Sequence, residues 1–74
     1  MSIGETIKLL RKEQGLSQTQ LANLLFTSQD TISLWERDKS LPDATSIINM
    51  SIIFKTTTDE ILCVAQHKHL IQKR

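Results

Sequence analysis

Two helix-start signals stand close together in the first half of the chain, and they constrain its fold more than any other feature. Ser17 and Gln20 have the spacing of a capping box, in which each side chain bonds the backbone N–H of the other residue. Thr27 and Ser28 are both competent N-cap residues, so another helix is expected to start directly after them. The helix that starts at Ser17 is therefore short and ends near Leu25, and a tight turn must connect the two.

The apolar residues of this region predict how the two helices pack. Those expected to face inward are Leu21, Leu24 and Leu25 on the first helix and Ile32 and Trp35 on the second. Ala22 is small, which lets another helix cross closely at this point. Together these features indicate a helix-turn-helix, a motif whose second helix fits the major groove of DNA.

Three further helices are predicted around this pair. One precedes it over residues 2–13, and two follow it. The additional start signals are capping boxes at Ser2/Glu5 and at Thr57/Glu60, and the last helix is expected to reach Ala65. We therefore predict an all-α domain of five helices over residues 1–65, with its helix-turn-helix core at 18–37. Residues 66–74 are either a basic C-terminal tail or an extension of helix five.

Composition narrows the class of protein. The 74 residues include two glycines and one proline, and 39% are apolar, which favours helices around one small core over a sandwich of short strands. The single cysteine cannot form an internal disulfide, which fits a reducing cytoplasm. Because no signal-peptide pattern and no membrane-spanning apolar run is visible, we expect a cytoplasmic protein without membrane contact.

The formal net charge of +1 is too low for binding nucleic acid through a bulk positive field. DNA binding would have to use a few placed polar side chains and helix N-termini, which also bind phosphate. A single copy would bind weakly, so we expect two copies on one site.

The ordered set of motifs resembles the phage-repressor-like, or Xre-type, helix-turn-helix family. The matching elements are Ile7–Arg11, Gly15–Gln18, Leu21–Ala22, Ser28, Ile32–Ser33, Trp35–Glu36, Pro42 and Asp59–Leu62. The resemblance spans roughly Ile3 to Leu62. It implies a five-helix lambda-repressor-like domain, dimeric binding to double-stranded operator DNA, and regulation of transcription. It also implies a structural ion pair between Arg11 and Glu36, for which a forked guanidinium and a carboxylate are well matched.

Two positions depart from the family pattern. The family has glycine in the turn between the two helices, where this chain has Phe26, and glycine after the recognition helix, where it has Asp38. A bulky side chain at positive φ is strained, so we expect Phe26 either to reshape the turn or to pack outward. Aspartate tolerates a left-handed turn better than most residues, so Asp38 is the milder change.

Four residues of the recognition helix are candidates for contact with base edges: Gln29, Asp30, Ser33 and Leu34. A glutamine amide can pair with N6 and N7 of adenine, and the matching residue does so in the family that the chain resembles. Asp30 could accept from cytosine N4 or complement the helix dipole. Leu34 could contact a thymine methyl group or be an ordinary exposed leucine.

Phosphate contacts are predicted at Gln18, Ser28, Arg37 and Lys39. Gln18 matches a phosphate clamp of the resembling family, which fixes the register on DNA without reading sequence. For Arg37 and Lys39 the alternative is a solvated surface charge.

A second apolar stripe on helix four, Ile48 and Ile52, exceeds what a small monomer needs. Together with Ile61 on helix five, it is the predicted dimer interface. The leading hypothesis is a homodimeric repressor that binds a roughly palindromic operator. Two alternatives stay open: an antitoxin that binds a toxin protein and represses its own operon, and a helical interaction module without DNA binding.

Neither enzymatic nor metal chemistry is predicted, and no cofactor is expected. Cys63, His67 and His69 match no common zinc spacing and lack a fourth ligand. The sequence also shows no recognisable pattern that brings a nucleophile, a base and an orienting group together.

Overall fold

The computed structural model describes residues 2–62, and this part of the chain is all-helical. Its five helices are α1 (Ile3–Glu13), α2 (Gln18–Leu24), α3 (Gln29–Glu36), α4 (Ala44–Phe54) and α5 (Thr58–Ile61). The predicted fold class is thereby confirmed. The predicted continuation of α5, the segment 66–74, and Cys63, His67 and His69 lie outside the described residues.

Helix starts follow the predicted capping signals. Reciprocal capping boxes are present at Ser2/Glu5, Ser17/Gln20 and Thr57/Glu60. Of the two N-cap candidates before α3, Ser28 takes the role, because its side chain accepts from the backbone N–H of Thr31. At the start of α4, Asp43 instead accepts from the Ser46 hydroxyl at 2.6 Å, and this bond lowers the pKa of the Asp43 carboxyl.

Four helix ends share one geometry. The left-handed residues are Gly15 (φ 71°), Phe26 (58°), Asp38 (59°) and Lys55 (56°). In each case the N–H of the next residue bonds the carbonyl five positions earlier, as in a Schellman motif. Phe26 therefore does not reshape the turn between α2 and α3. It adopts the conformation that suits glycine and leaves its side chain 96% exposed.

A compact apolar core holds α3 between its neighbours, since α3 packs against both α1 and α2. Its largest fully buried side chains are Ile7, Leu21, Ile32, Met50 and Ile61. Burial of such a side chain stabilises a fold by about 1.5–3 kcal/mol. In the described part of the chain, no helix is long and apolar enough to cross a membrane.

Two side chains differ from their predicted placement. Leu24 was expected to face inward but is 50% exposed. Leu21 and Leu25 are four positions apart and share the buried face, whereas Leu24 is displaced from Leu25 by about 100° around the helix. Ile61 was expected at a dimer interface, yet it is fully buried in the core of the monomer. It therefore offers no surface to a second copy, and we leave it out of the interface proposed below.

Candidate nucleic-acid interface

Helix α3, which carries all four base-contact candidates, is the centre of the candidate interface. Gln29 is its first residue, and Gln29 and Asp30 are both exposed. Leu34 is 38% exposed, while Ser33 is half-buried. An aspartate in the first turn of a helix complements the positive end of the helix dipole. That role is available to Asp30 whether or not it also contacts a base.

The structure joins the two glutamines that were assigned to different roles. The Gln29 amide Nε2 donates to Gln18 Oε1 at 2.6 Å, so the first residues of α2 and α3 are linked side chain to side chain. Among the described residues, this bond leaves Gln29 Oε1 and the second N–H of Nε2 available. An amide presenting one acceptor and one donor in this way matches the N6 and N7 edge of adenine.

Gln18 is itself held by the buried carboxylate of Glu36. Gln18 Nε2 donates to Glu36 Oε1 at 3.0 Å. Glu36 also accepts from Arg11, with Nε to Oε2 at 2.6 Å and Nη2 to Oε1 at 3.0 Å. Arg11 Nη1 also donates to the carbonyl oxygen of Leu16 at 2.8 Å. The result is a continuous chain of bonds from the scaffold helix α1 to the exposed amide of Gln29.

Burial makes the Arg11–Glu36 pair a structural element of the site. Their side chains are 8% and 3% exposed, so neither charge can be rehydrated if the other is removed. Removing one partner of a buried ion pair costs about 3–5 kcal/mol of stability. The pair therefore anchors the last turn of α3 firmly to α1.

The remaining phosphate candidates lie around α3. Ser28 has its hydroxyl at the N-cap, within 2.9 Å of the Thr31 hydroxyl. Arg37 and Lys39 are exposed at the other end of the helix. Arg37 Nε donates to the Ser33 carbonyl and hydroxyl oxygens at 3.3 and 3.2 Å. This contact already engages Ser33, the only one of the four base-contact candidates that is not exposed.

Sequence reasoning missed a second connection between α3 and α1. The carboxylate of Asp38 accepts from the Ser2 hydroxyl at 2.7 Å and from the Gly4 backbone N–H at 2.9 Å. Gly4 is required there, because a Cβ at this position would lie 2.4 Å from the Trp35 carbonyl oxygen. Two features of the sequence could have indicated this connection: a glycine inside a helix, and an aspartate where the resembling family has glycine.

A separate apolar surface lies on α4 and α5. Ile48 and Ile52 are 53% and 70% exposed, and Leu62 is 40% exposed. Ile48 and Leu62 also line an open cavity of about 370 Å³, together with Pro42, Ala44, Ile47 and Thr58.

Comparison with known proteins gives consistent matches. A family model described as "Helix-turn-helix" matches residues 7–61 of the chain. The HTH-type transcriptional activator BcrR of Enterococcus faecalis is 39% identical over 62 residues, which is 84% of this chain and 30% of that protein. The HTH-type transcriptional regulator ImmR of Bacillus subtilis (strain 168) is 31% identical over 62 residues, 84% of this chain and 49% of that protein. The chain thus spans less than half of the length of these two relatives.

Among solved structures, the P22 c2 repressor in complex with a synthetic operator is similar to this chain with a TM-score of 0.79 and 27% sequence identity. The match covers 84% of this chain and 94% of the repressor chain.

Proposed function

Because the chain belongs to the phage-repressor-like helix-turn-helix family, we propose that it binds double-stranded DNA at specific sequences and regulates transcription through α3 as its recognition helix. The observation that carries this proposal is the bonded pair Gln18–Gln29, which presents an oriented amide at the exposed start of α3. The similar P22 c2 repressor, whose structure contains a synthetic operator, supports the same use of the fold.

Base recognition is assigned to the exposed side chains of α3. Gln29 pairs with adenine through its free acceptor and donor, and Leu34 contacts a thymine methyl group. Asp30 accepts from cytosine N4 where the site has a G·C pair. Ser33 contributes only after it releases Arg37, so it ranks last among the four.

Phosphate contacts position the helix and supply most of the salt dependence. Gln18 contributes its backbone N–H at the start of α2, because its side chain is already bonded to Gln29 and Glu36. Ser28, Arg37 and Lys39 complete the set.

We propose that two copies bind one roughly palindromic operator, in contact through Ile48 and Ile52 on α4. Their recognition helices would then enter successive major grooves about 34 Å apart. Repression is the simpler outcome, since a dimer that covers a promoter needs no further surface for contact with another protein. The Enterococcus faecalis relative is named an activator, so a reporter with the selected site placed over or upstream of a promoter distinguishes the two outcomes.

The test of the central proposal is selection from random-sequence DNA, followed by titration of the selected site at several salt concentrations. We expect one enriched motif with two related half-sites and an affinity that falls steeply with salt. Selection by the folded protein at low salt that enriches no motif would contradict the proposal.

A second candidate function is an antitoxin-type autorepressor, which needs a protein partner besides DNA. The observation that favours it is the 96% exposed Phe26, an aromatic side chain held on the surface. Co-purification with the product of an adjacent gene would support this candidate. A partner that binds Phe26→Ala with unchanged affinity would show that the Phe26 side chain does not contact it.

A further inference from the structure

The recognition helix is tied to α1 by two carboxylates, and only one of them is explained by the family resemblance. Glu36 bonds Arg11, in the last turn of α1. Asp38 bonds Ser2 and Gly4, at the first turn of the same helix. The end of α3 is therefore attached near both ends of α1, which restrains rotation of one helix against the other.

Next to the bonds of Asp38, the backbones of α1 and α3 also approach each other closely. Without a side chain at Gly4, the first turn of α1 approaches the last backbone carbonyls of α3: a Cβ there would lie 2.4 Å from the Trp35 oxygen and 2.7 Å from the Glu36 oxygen. A carboxylate at the start of a helix is also favoured by the helix dipole. Asp38 thus does two things at once: it ends α3 in a left-handed turn and caps α1.

We propose that Asp38 is a positioning residue of the recognition helix, which sets the angle of α3 on the scaffold and hence how sharply its side chains discriminate between base pairs. This inference rests on the proposed DNA-binding function. A glycine at the same place would end the helix with less strain but could not make either bond. The carboxylate therefore adds two bonds to α1 that the turn itself does not require.

Three variants separate positioning from stability. Asp38→Gly keeps the left-handed turn and removes both bonds to α1. Asp38→Asn keeps an oxygen acceptor for the Gly4 N–H and tolerates the same turn. Ile53→Ala is the control, since it weakens packing from α4 and lies outside this network. The readout is the ratio of dissociation constants for the selected site and for sites with one base pair changed, measured well below the unfolding temperature of each variant.

We expect Asp38→Gly to lower this discrimination ratio by roughly twofold to thirtyfold. Asp38→Asn should recover most of it, and Ile53→Ala should lower the unfolding temperature but leave the ratio unchanged. An NMR spectrum in which the Gly4 amide signal shifts in Asp38→Gly shows directly that the bond is lost.

An unchanged ratio in Asp38→Gly, with the Gly4 signal shifted, would overturn the proposal. Should that variant fail to fold, the same ratio for Ser2→Ala decides in its place, compared with Thr57→Ala as a control: Ser2→Ala loses the bond to Asp38 together with the N-cap of α1, whereas Thr57→Ala loses only the N-cap of α5. Failure of the proposed function shows itself separately, because the wild-type protein would then select no sequence at all.

Discussion

Gln18 and Gln29 have separate predicted roles, but a hydrogen bond between their side chains couples them. From sequence, Gln18 was a phosphate clamp and Gln29 a base reader. The 2.6 Å bond between them means that loss of Gln18 also frees the Gln29 amide to rotate. The cost of each substitution therefore depends on whether the other has already been made.

A double-mutant cycle on DNA binding measures this dependence. We expect Gln18→Ala to reduce preference at the base pair read by Gln29, because the Gln29 amide loses its orienting bond, while the backbone N–H of residue 18 keeps its contact with phosphate. The coupling energy between Gln18→Ala and Gln29→Ala should be about 0.5–3 kcal/mol. Strictly additive effects would show that the bond is absent or has no role when DNA is bound.

At the scale of elements, the residues with positive φ lie at the ends of helices. Three Schellman turns place a residue other than glycine at positive φ, and Phe26 is the bulkiest of them. A left-handed residue with a Cβ costs about 1–2 kcal/mol, although glycine loses more chain entropy on folding. The turn between α2 and α3 is therefore a place where the natural residue is not the most stable one.

Phe26→Gly should raise the free energy of unfolding by up to about 1 kcal/mol, because relief of strain exceeds the added chain entropy. Phe26→Ala is the matched control. It keeps the Cβ and removes an aromatic ring that is 96% exposed, so it should stay within about 0.5 kcal/mol of the wild type. Urea unfolding measures both. A loss well beyond that in Phe26→Ala would mean that the ring stabilises the fold.

The same elements show what can be predicted from sequence. Capping boxes are local patterns, and all three were placed correctly. The bonds from Asp38 to Ser2 and Gly4 join residues more than thirty positions apart, so no local pattern contains them. Ile61 and Ile52 are equally apolar in sequence, and only packing shows that one is in the core and the other on the surface. Leu24 was misplaced because it lies at the edge of the buried face, where periodicity decides least.

On the scale of the whole molecule, the low net charge and the exposed apolar surface both favour binding of DNA by two copies rather than by one. With a net charge of +1, one copy has little excess positive charge to neutralise phosphates, and a second copy on the same site would double the contacts that are available. Ile48 and Ile52 supply an apolar stripe on α4 that a second copy could cover. Self-association and DNA affinity should therefore be linked.

Ile52→Asp tests that link, since a carboxylate buried between two copies has no partner. We expect sedimentation equilibrium to show self-association weakened by about tenfold or more, and affinity for the two-half-site operator to fall with it. Leu41→Ser is the control: Leu41 is 73% exposed but precedes α4, the change removes an exposed apolar side chain without adding a charge, and both quantities should stay unchanged. An Ile52→Asp protein that still dimerises like the wild type would place the interface elsewhere.

The most direct test of the whole account is a titration of wild-type protein and Gln29→Ala against the selected operator and against its single-base variants. The account predicts that Gln29→Ala loses discrimination at one base pair per half-site, by about 1–3 kcal/mol, and keeps the wild-type preferences elsewhere. Discrimination that is unchanged at every position in Gln29→Ala would contradict the assignment of α3, and of its oriented amide, to reading DNA sequence.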